Sequence, residues 1–209
     1  MQETILSIGH SQHNIDYFIN MLKRHQVNYI LDVRSTPYSQ FASDYNRDSI
    51  RILLSNYNIT YSFMGEYFGA RPSEKSLYAD KGYLDFEKYK KSEIFIKGYN
   101  NVLKGVAQGN RVAFMCTEKD PIDCHRAILV TRAFAEAGVP IEHIMADNSI
   151  QTQNDLDQRL LKIYYPDRKQ LSIFDKDNLS DEEYLQQAYK KQNEKIGYSL
   201  DNELKKRIV

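Results

Sequence analysis

The chain has 209 residues, of which 42% are hydrophobic and 12% are aromatic, so it can bury one substantial core. Its 28 basic and 28 acidic side chains give a formal net charge of zero, so the bulk charge does not indicate binding to nucleic acid or an anionic membrane, and nucleic-acid binding through a local basic pocket stays an open alternative. The sequence contains no apolar run of about 18 residues, and its first residues lack the pattern of a secretion signal, so we expect a cytoplasmic protein.

Short apolar runs alternate with amphipathic stretches along the first 145 residues. The apolar runs predict five strands, at residues 4–8, 27–33, 59–63, 112–116 and 141–145. Apolar side chains at helical spacing predict helices between the strands, near residues 15–22, 50–54, 95–109 and 127–138. The polar and aromatic residues 64–89 are predicted to form a long connection. The alternation indicates an α/β fold, a Rossmann-like and mostly parallel sheet with helices on both faces.

We predict two domains, an α/β domain at residues 1–150 and a helical C-terminal extension at residues 151–209. Within the extension, residues 155–164 form one predicted helix, and Ser180 followed by three acidic residues is typical of the capped start of another. The second helix carries a stripe at helical spacing, formed by Leu185, Ala188, Tyr189 and Gln192. This stripe packs on its own domain or binds another chain, and an exposed stripe would favour a homodimer.

Polar side chains follow the predicted strands, and ligands of open parallel sheets bind at the carboxyl ends of strands. The ionisable candidates at these five ends are, in chain order, His10; Asp32 and Arg34; Glu66 and Arg71; Cys116, Glu118 and Lys119; and His143. Each residue alone has an ordinary structural explanation. Their joint placement predicts one ligand site at this edge of the sheet.

The segment 111–138 places both cysteines in one strand-to-helix turn. With Asp123 as the N-cap, Cys124, His125 and Arg126 fall in the first turn of the helix. Unpaired N–H groups and the helix dipole there favour a bound anion or a thiolate at Cys124. Buried core thiols and a disulfide remain alternative interpretations of the two cysteines. The Cys-x7-Cys-His spacing matches none of the common zinc patterns, so no metal is assigned.

Several motifs carry a family resemblance: Ile8-Gly9-His10-Ser11, Leu31-Asp32-Val33-Arg34-Ser35-Thr36-Pro37, Gly65-Glu66 with Gly69, and Met115-Cys116-Thr117-Glu118-Lys119-Asp120-Pro121 with Cys124-His125-Arg126. In order and spacing they resemble the family called domain of unknown function 488, over residues 4–146. The resemblance implies a compact α/β domain with these motifs around one pocket, and no settled reaction. The Asp-x-Arg strand end is also similar to the rhodanese fold, but acidic residues and Pro121 follow Cys116 where rhodaneses have a short cradle of backbone amides.

These observations predict an enzyme with an anion-binding pocket at the strand ends, acting on a nucleotide or a nucleic-acid base-like substrate. The candidate catalytic residues, with a cysteine nucleophile or a glutamate acid–base among them, are Cys124, Glu118, His10 and Asp32. The candidate substrate-binding residues are Arg34, Glu66, Arg71, Cys116, Lys119, His125 and Arg126.

The expected partner is a phosphate- or carboxylate-bearing small molecule or nucleotide, and not a membrane. Aromatic residues that could stack on a base lie after the second and third strands, namely Tyr38, Phe41, Tyr45, Tyr67, Phe68, Tyr78 and Tyr83. No glycine-rich phosphate fingerprint indicates a cofactor, whose identity stays unknown. The alternative function is a non-catalytic nucleotide-sensing or partner-binding module.

Overall fold

The computed structural model describes residues 3–11, 13–168 and 179–199. Its strands are β1 (Ile5–Gly9), β2 (Tyr29–Asp32), β3 (Thr60–Phe63), β4 (Val112–Cys116), β5 (Ile141–Ile144) and β6 (Ile150–Thr152). Its α-helices are α1 (Ile15–Arg24), α2 (Arg47–Ser55), α3 (Gly65–Phe68), α4 (Phe86–Lys90), α5 (Glu93–Ala107), α6 (Arg132–Glu136), α7 (Gln153–Tyr164) and α8 (Asp181–Ile196). The described residues also form 3-10 turns at Ser43–Tyr45, Lys75–Leu77 and Pro121–Asp123, and a π-helical segment, Arg126–Thr131, that continues into α6.

The six strands form one sheet in the order β3-β2-β4-β1-β5-β6. Strands β1 to β5 pair in parallel, whereas β6 pairs antiparallel to β5. All five predicted strands are present, and the prediction of a mostly parallel α/β fold is confirmed. The sequence pattern does not predict β6, because three residues are too few to show an alternation.

Side chains of the central strands alternate between two apolar layers. On one face, Leu6 and Met115 pack with side chains of α1 and α2. On the other face, Ile5 and Phe114 pack with side chains of α5, the π-helical segment, α7 and α8. Every residue of β1 and β4 is buried, as expected for parallel strands that are covered on both sides. The carboxyl ends of these strands are therefore held in place by the core.

The segment 64–89, predicted as a long connection, contains two short helices. Helix α3 has four residues and α4 has five. Helix α4 has its own N-cap, because the Asp85 side chain accepts hydrogen bonds from the backbone N–H groups of Glu87 and Lys88. Helices of this length span too few turns for an apolar stripe to repeat, so periodicity does not reveal them.

The helix after β4 begins later than the sequence predicts, and the prediction of Asp123 as its N-cap is wrong. Asp123 ends a 3-10 turn, in which Asp120 caps the N–H of Ile122 and Pro121 occupies the first turn. Asp120 takes the capping role because a proline follows it, and proline favours the first position of a helical turn. Cys124 then has extended backbone angles (φ −131°, ψ 135°), and its carbonyl accepts the first hydrogen bonds of the helix.

The C-terminal extension packs on the sheet layer. Helix α7 and the predicted helix α8 each begin with a capping box, formed by Thr152 with Asp155 and by Ser180 with Glu183. The stripe of α8 faces its own chain, where Ala188, Tyr189 and Gln192 are buried. The homodimer and the boundary near residue 150 stay predictions, and residues 169–178 and 200–209 of the predicted extension lie outside the described residues.

In the part of the chain that is described, no helix is long and apolar enough to cross a membrane.

Candidate functional site

The central strands bring three candidate regions to one edge of the sheet. In the register of the sheet, Gly9 of β1 lies opposite Cys116 of β4, and Asp32 of β2 lies opposite Met115 of β4. Beyond β1 the pairing continues, since the His10 N–H donates to the Cys116 carbonyl at 2.9 Å. A Cβ on Gly9 would lie 1.9 Å from the carbonyl oxygen of Glu118, so glycine is required where the loop after β4 crosses the end of β1.

Two free thiols lie together at this edge, with Cys116 and Cys124 only 3% and 1% exposed. Glu118 Oε2 lies 3.1 Å from Cys116 Sγ and 3.0 Å from Cys124 Sγ. His125 Nδ1 lies 3.8 Å from Cys116 Sγ. Its other ring nitrogen, Nε2, is 3.0 Å from the Val33 carbonyl, which can only accept, so Nε2 carries a proton. We refer to Cys116, Glu118, Cys124 and His125 as the thiol cluster.

The two thiols have different acidities. The hydrogen bond with Cys124 and burial raise the pKa of Cys116. Burial also acts to raise the pKa of Cys124, but the Cys116 thiol and the Arg126 guanidinium outweigh it and hold that pKa well below its ordinary value. Glu118 is largely exposed as a residue, yet desolvation of its carboxyl group and the charge of Cys124 raise its pKa. Cys124 is therefore the more acidic of the two thiols.

Arg126 lies behind the thiol cluster and is fully buried. It donates from Nη1 to the Glu118 carbonyl at 2.6 Å and from Nη2 to the Lys119 carbonyl at 3.3 Å. Among the described residues no carboxylate forms an ion pair with it, and its Nε has no hydrogen-bond partner there. Arg126 therefore holds the loop after β4 in place and supplies positive charge beneath the cluster. It begins the π-helical segment, a local feature that is frequent at functional sites.

A second polar group surrounds Asp32, which is fully buried. Asp32 accepts from Arg34 Nε at 2.9 Å, from Arg34 Nη2 at 2.6 Å and from the Tyr61 hydroxyl at 2.7 Å. His10 Nε2 lies 3.2 Å from Arg34 Nη1, and the His10 ring stacks on Tyr45. Burial, reinforced by Arg34, lowers the pKa of His10 to about 3, so its neutral ring accepts from Arg34. Asp32 and His10 thus orient Arg34 from behind.

A cavity of about 240 Å³ opens above the thiol cluster. Five of the candidates from the sequence line it, namely Arg34, Arg71, Cys116, Glu118 and His125. The other lining residues are Ser35, Thr36, Ala70, Thr117, Asp123, Ile196 and Tyr198. The Arg71 guanidinium lies over the Tyr198 ring, 4.5 Å from its centroid, and forms no ion pair with any described residue. The cavity is therefore polar, with an arginine at its rim and thiols beneath it.

The remaining candidates lie outside the cavity. Cys124, His10, Asp32 and Arg126 are buried beneath or behind it. Lys119 and Glu66 are exposed, and Glu66 lines neighbouring cavities beside α3 instead. Helix α3 begins against the loop after β2, where a Cβ on Gly65 would lie 2.3 Å from the Arg34 carbonyl. His143 is fully buried and bonds to Ser7 and Gln153 in the core.

Sequence reasoning missed several lining residues. Ser35 and Thr36 were not among the candidate site residues, although they stand in the motif after β2 that the family resemblance places around one pocket. Ile196 and Tyr198 belong to the end of α8 and the residues after it, and no local pattern connects them with the cysteine turn. Of the aromatic residues named for stacking, Tyr45, Phe68 and Tyr78 are buried. Tyr38 and Phe41 are exposed.

Comparison with protein families matches residues 14–133, more than half of the chain, to the family described as a domain of unknown function, DUF488. The chain belongs to this family. The DUF488 match includes β2, β4 and the whole thiol cluster, whereas Ile196 and Tyr198 lie beyond it. Neither the curated proteins nor the solved structures that were compared with the chain gave a match.

Proposed function

We propose that this DUF488 protein is an enzyme that binds a phosphate- or carboxylate-bearing substrate in the cavity above the thiol cluster. The proposal depends on one observation, an arginine without an ion-pair partner among the described residues, at a polar cavity with thiols and a carboxyl group beneath it. Guanidinium groups bind phosphate and carboxylate bidentately. Thiols and carboxyl groups supply nucleophilic and acid–base chemistry.

The charges around the rim favour an anion. Arg34 is balanced by Asp32 at 2.6 Å, and Asp123 is balanced by Lys195 at 3.1 Å. Arg71 has no such partner in the described part of the chain, and its guanidinium is held over Tyr198. Arg71 is therefore the arginine of the rim whose charge lacks an ion-pair partner among the described residues, and an anionic group of the substrate would neutralise it.

The size of the cavity limits what it can enclose. A volume of about 240 Å³ is smaller than the roughly 300–1,000 Å³ typical of sites that enclose drug-sized ligands. It suits a phosphate or a small acid, with the rest of the substrate outside. Tyr38 and Phe41, which are 72% and 91% exposed, follow Ser35 and Thr36 of the cavity wall. We therefore propose a nucleotide whose base stacks on these exposed rings.

A non-catalytic nucleotide sensor is the second candidate, and the burial of the thiols favours it. Cys116 and Cys124 are 3% and 1% exposed, and of the two only Cys116 lines the cavity. A sensor would use the same arginine and aromatic residues to bind a nucleotide, and would leave the nucleotide chemically unchanged.

The test is binding of adenosine monophosphate and inorganic phosphate, measured by isothermal titration calorimetry. Arg71→Ala is expected to weaken the affinity for both by about tenfold or more, because a hydrogen bond to a charged group contributes roughly 1.5–3 kcal/mol. The matched control is Arg51→Ala, since Arg51 is an exposed arginine on α2 that pairs with Asp48 away from the cavity. Equal affinities of Arg71→Ala and the unaltered protein would contradict the proposed site.

The same preparations distinguish an enzyme from a sensor. A mixture of nucleotides is incubated with the protein and examined by mass spectrometry for a chemically changed product. Product that forms with the unaltered protein and is lost in Glu118→Gln, while adenosine monophosphate still binds, supports the enzyme. Nucleotide binding without any product supports the sensor.

A further inference from the structure

Three soft ligand atoms converge beneath the cavity. The sulfur atoms of Cys116 and Cys124 and a ring nitrogen of His125 lie within 4.8 Å of one another. Within residues 3–11, 13–168 and 179–199 this is the single group of three such side chains with that geometry. We propose that these three residues bind a zinc ion, with Glu118 beside it.

The distances in the cluster agree with tetrahedral zinc. In a tetrahedron, zinc–sulfur bonds of about 2.3 Å and zinc–nitrogen bonds of about 2.0–2.1 Å place a sulfur and a nitrogen about 3.5–3.6 Å apart, and two sulfurs about 3.8 Å apart. Cys116 Sγ and His125 Nδ1 are 3.8 Å apart. This separation is close to the value expected for two ligands of one metal ion.

The imidazole of His125 is oriented as a metal ligand. Its Nε2–H donates to the Val33 carbonyl at 3.0 Å, so Nδ1 is the ring nitrogen that faces the thiols. Metal-binding histidines almost always donate their second ring N–H to a carbonyl, a carboxylate or water in this way. Val33, directly after β2, therefore fixes the ring orientation and leaves Nδ1 as the nitrogen that would bind zinc.

The surrounding charges fit a divalent cation. The single charge of the buried Arg126 guanidinium balances one of the acidic groups of the cluster, and Arg126 also holds the loop that carries Glu118 through the 2.6 Å hydrogen bond to its backbone carbonyl. Two thiolates then leave two negative charges in a buried site. A divalent ion balances them, and thiolate with imidazole ligands favours zinc among the common divalent ions.

The number of ligands indicates a site of the catalytic type. Structural zinc sites use four protein ligands, whereas catalytic sites use three and leave a fourth position for water or substrate. Cys116 and His125 line the cavity, so the fourth position can be reached from it, and Glu118 contacts both sulfur atoms there. The ion would act as a Lewis acid beneath the bound anion. The role of the ion as a Lewis acid rests on the proposed function, whereas the metal site itself does not.

The experiment is metal analysis of the untagged protein by inductively coupled plasma mass spectrometry. We expect about one zinc ion per chain, as in other sites with a single set of ligands. Cys116→Ser and Cys124→Ser should lose the zinc. The matched control is His25→Ala, because His25 at the end of α1 bonds to Asn148 away from the cluster and its loss should leave the zinc content unchanged.

Cobalt substitution tests the site in the unaltered protein, independently of how the variants fold. Exchange of zinc for Co²⁺ should give the near-ultraviolet thiolate-to-cobalt charge-transfer band and the strong visible bands of a tetrahedral site. Protein that remains free of metal after incubation with zinc, and whose thiols react with a disulfide reagent equally fast with and without zinc, would overturn the proposal.

Failure of the metal site and failure of the proposed function can be told apart. Zinc bound by the three residues without any effect of Arg71→Ala on phosphate affinity would support the metal site and refute the anion pocket. Arg71-dependent phosphate binding by a protein that takes up no metal would support the pocket and refute the zinc site.

Discussion

At the scale of single residues, His143 shows how burial separates a structural histidine from a reactive one. Its Nδ1 accepts from the Ser7 hydroxyl at 2.7 Å, and its Nε2 donates to Gln153 Oε1 at 3.2 Å. Burial, with a smaller contribution from the Arg126 charge, lowers the pKa of His143 to about 3. The two hydrogen bonds and the lowered pKa both require the neutral ring.

The neutral ring of His143 makes stability depend on pH. The unfolded chain binds a proton near pH 6.5 that the folded protein does not bind until its lower pKa of about 3. The stabilisation is complete above pH 6.5 and is lost as the pH falls toward 3. Between pH 7 and pH 5 we expect a loss of about 2 kcal/mol from this residue, measured by urea unfolding at both values.

His143→Gln should reduce that pH-dependent loss by about the same 2 kcal/mol, whatever its effect on stability at pH 7. His25→Gln, at a partly exposed histidine, is the control and should retain the behaviour of the unaltered protein. His10 has the same lowered pKa and keeps its own contribution in both variants. Equal losses in His143→Gln and the unaltered protein would show that this histidine is not held neutral.

Which candidate residues reach the cavity could be predicted only in part. Ligands of open parallel sheets bind at the carboxyl ends of strands, and this rule predicts that Cys116, Glu118 and His125 lie at one edge. The three residues stand between the end of a buried strand and a buried helix. Asp32 and Arg126 also carry ionisable side chains, but these side chains lie behind the cavity. Whether a charged side chain faces a cavity or a neighbouring group depends on partners that are distant in sequence.

At the scale of elements, the C-terminal extension holds the cysteine turn in place. Arg159 of α7 forms a bidentate ion pair with Asp120, with distances of 3.1 and 2.6 Å. Gln192 of α8 donates to the Ile122 carbonyl at 2.8 Å and accepts from the Tyr164 hydroxyl at 2.6 Å. The 3-10 turn before Cys124 is therefore fixed by two helices that begin 30 or more residues after it.

Gln192→Leu tests this support, because leucine has a similar size and forms no hydrogen bond. The change leaves the buried Ile122 carbonyl and the Tyr164 hydroxyl without this partner, and we expect a loss of about 1–3 kcal/mol in the free energy of unfolding, measured in urea. Gln187→Leu is the matched control on the exposed side of α8 and should change stability by less than about 0.5 kcal/mol. Equal effects of the two variants would show that α8 does not support the turn.

Long helices could be predicted from the sequence, whereas the shortest elements could not. Helices α1, α5 and α8 have ten or more residues, and their apolar or capping patterns predict them. Helix α3 and strand β6 are too short to show a period. The contact between α8 and the cysteine turn could not be predicted, since a stripe shows that a helix face is buried but not what covers it.

At the scale of the whole molecule, the parallel sheet explains why chemistry collects at one edge. The carboxyl ends of β1, β2 and β4 meet there, and connecting segments from α3 and α8 close the cavity above them. The proposed metal site matches none of the common zinc spacings for the same reason. Cys116 ends a strand and Cys124 follows a turn that folds back, so the ligands meet through the fold and not through a local motif.

The same architecture predicts an order of local stability. Strands β1 and β4 are bonded to a neighbouring strand on each side, and all their residues are buried, so their amides exchange only when the whole sheet opens. Strand β6 lies at an edge and is partly exposed. We expect amide hydrogens of β1 and β4 to exchange at least about a thousandfold more slowly than those of β6, measured by mass spectrometry. Zinc should slow exchange at residues 117–126 and leave β6 unchanged, because the proposed ligands are the last residue of β4 and two residues at the far end of the loop that follows it. Slowing throughout the sheet would instead mean that the metal stabilises the fold as a whole, as a structural zinc does.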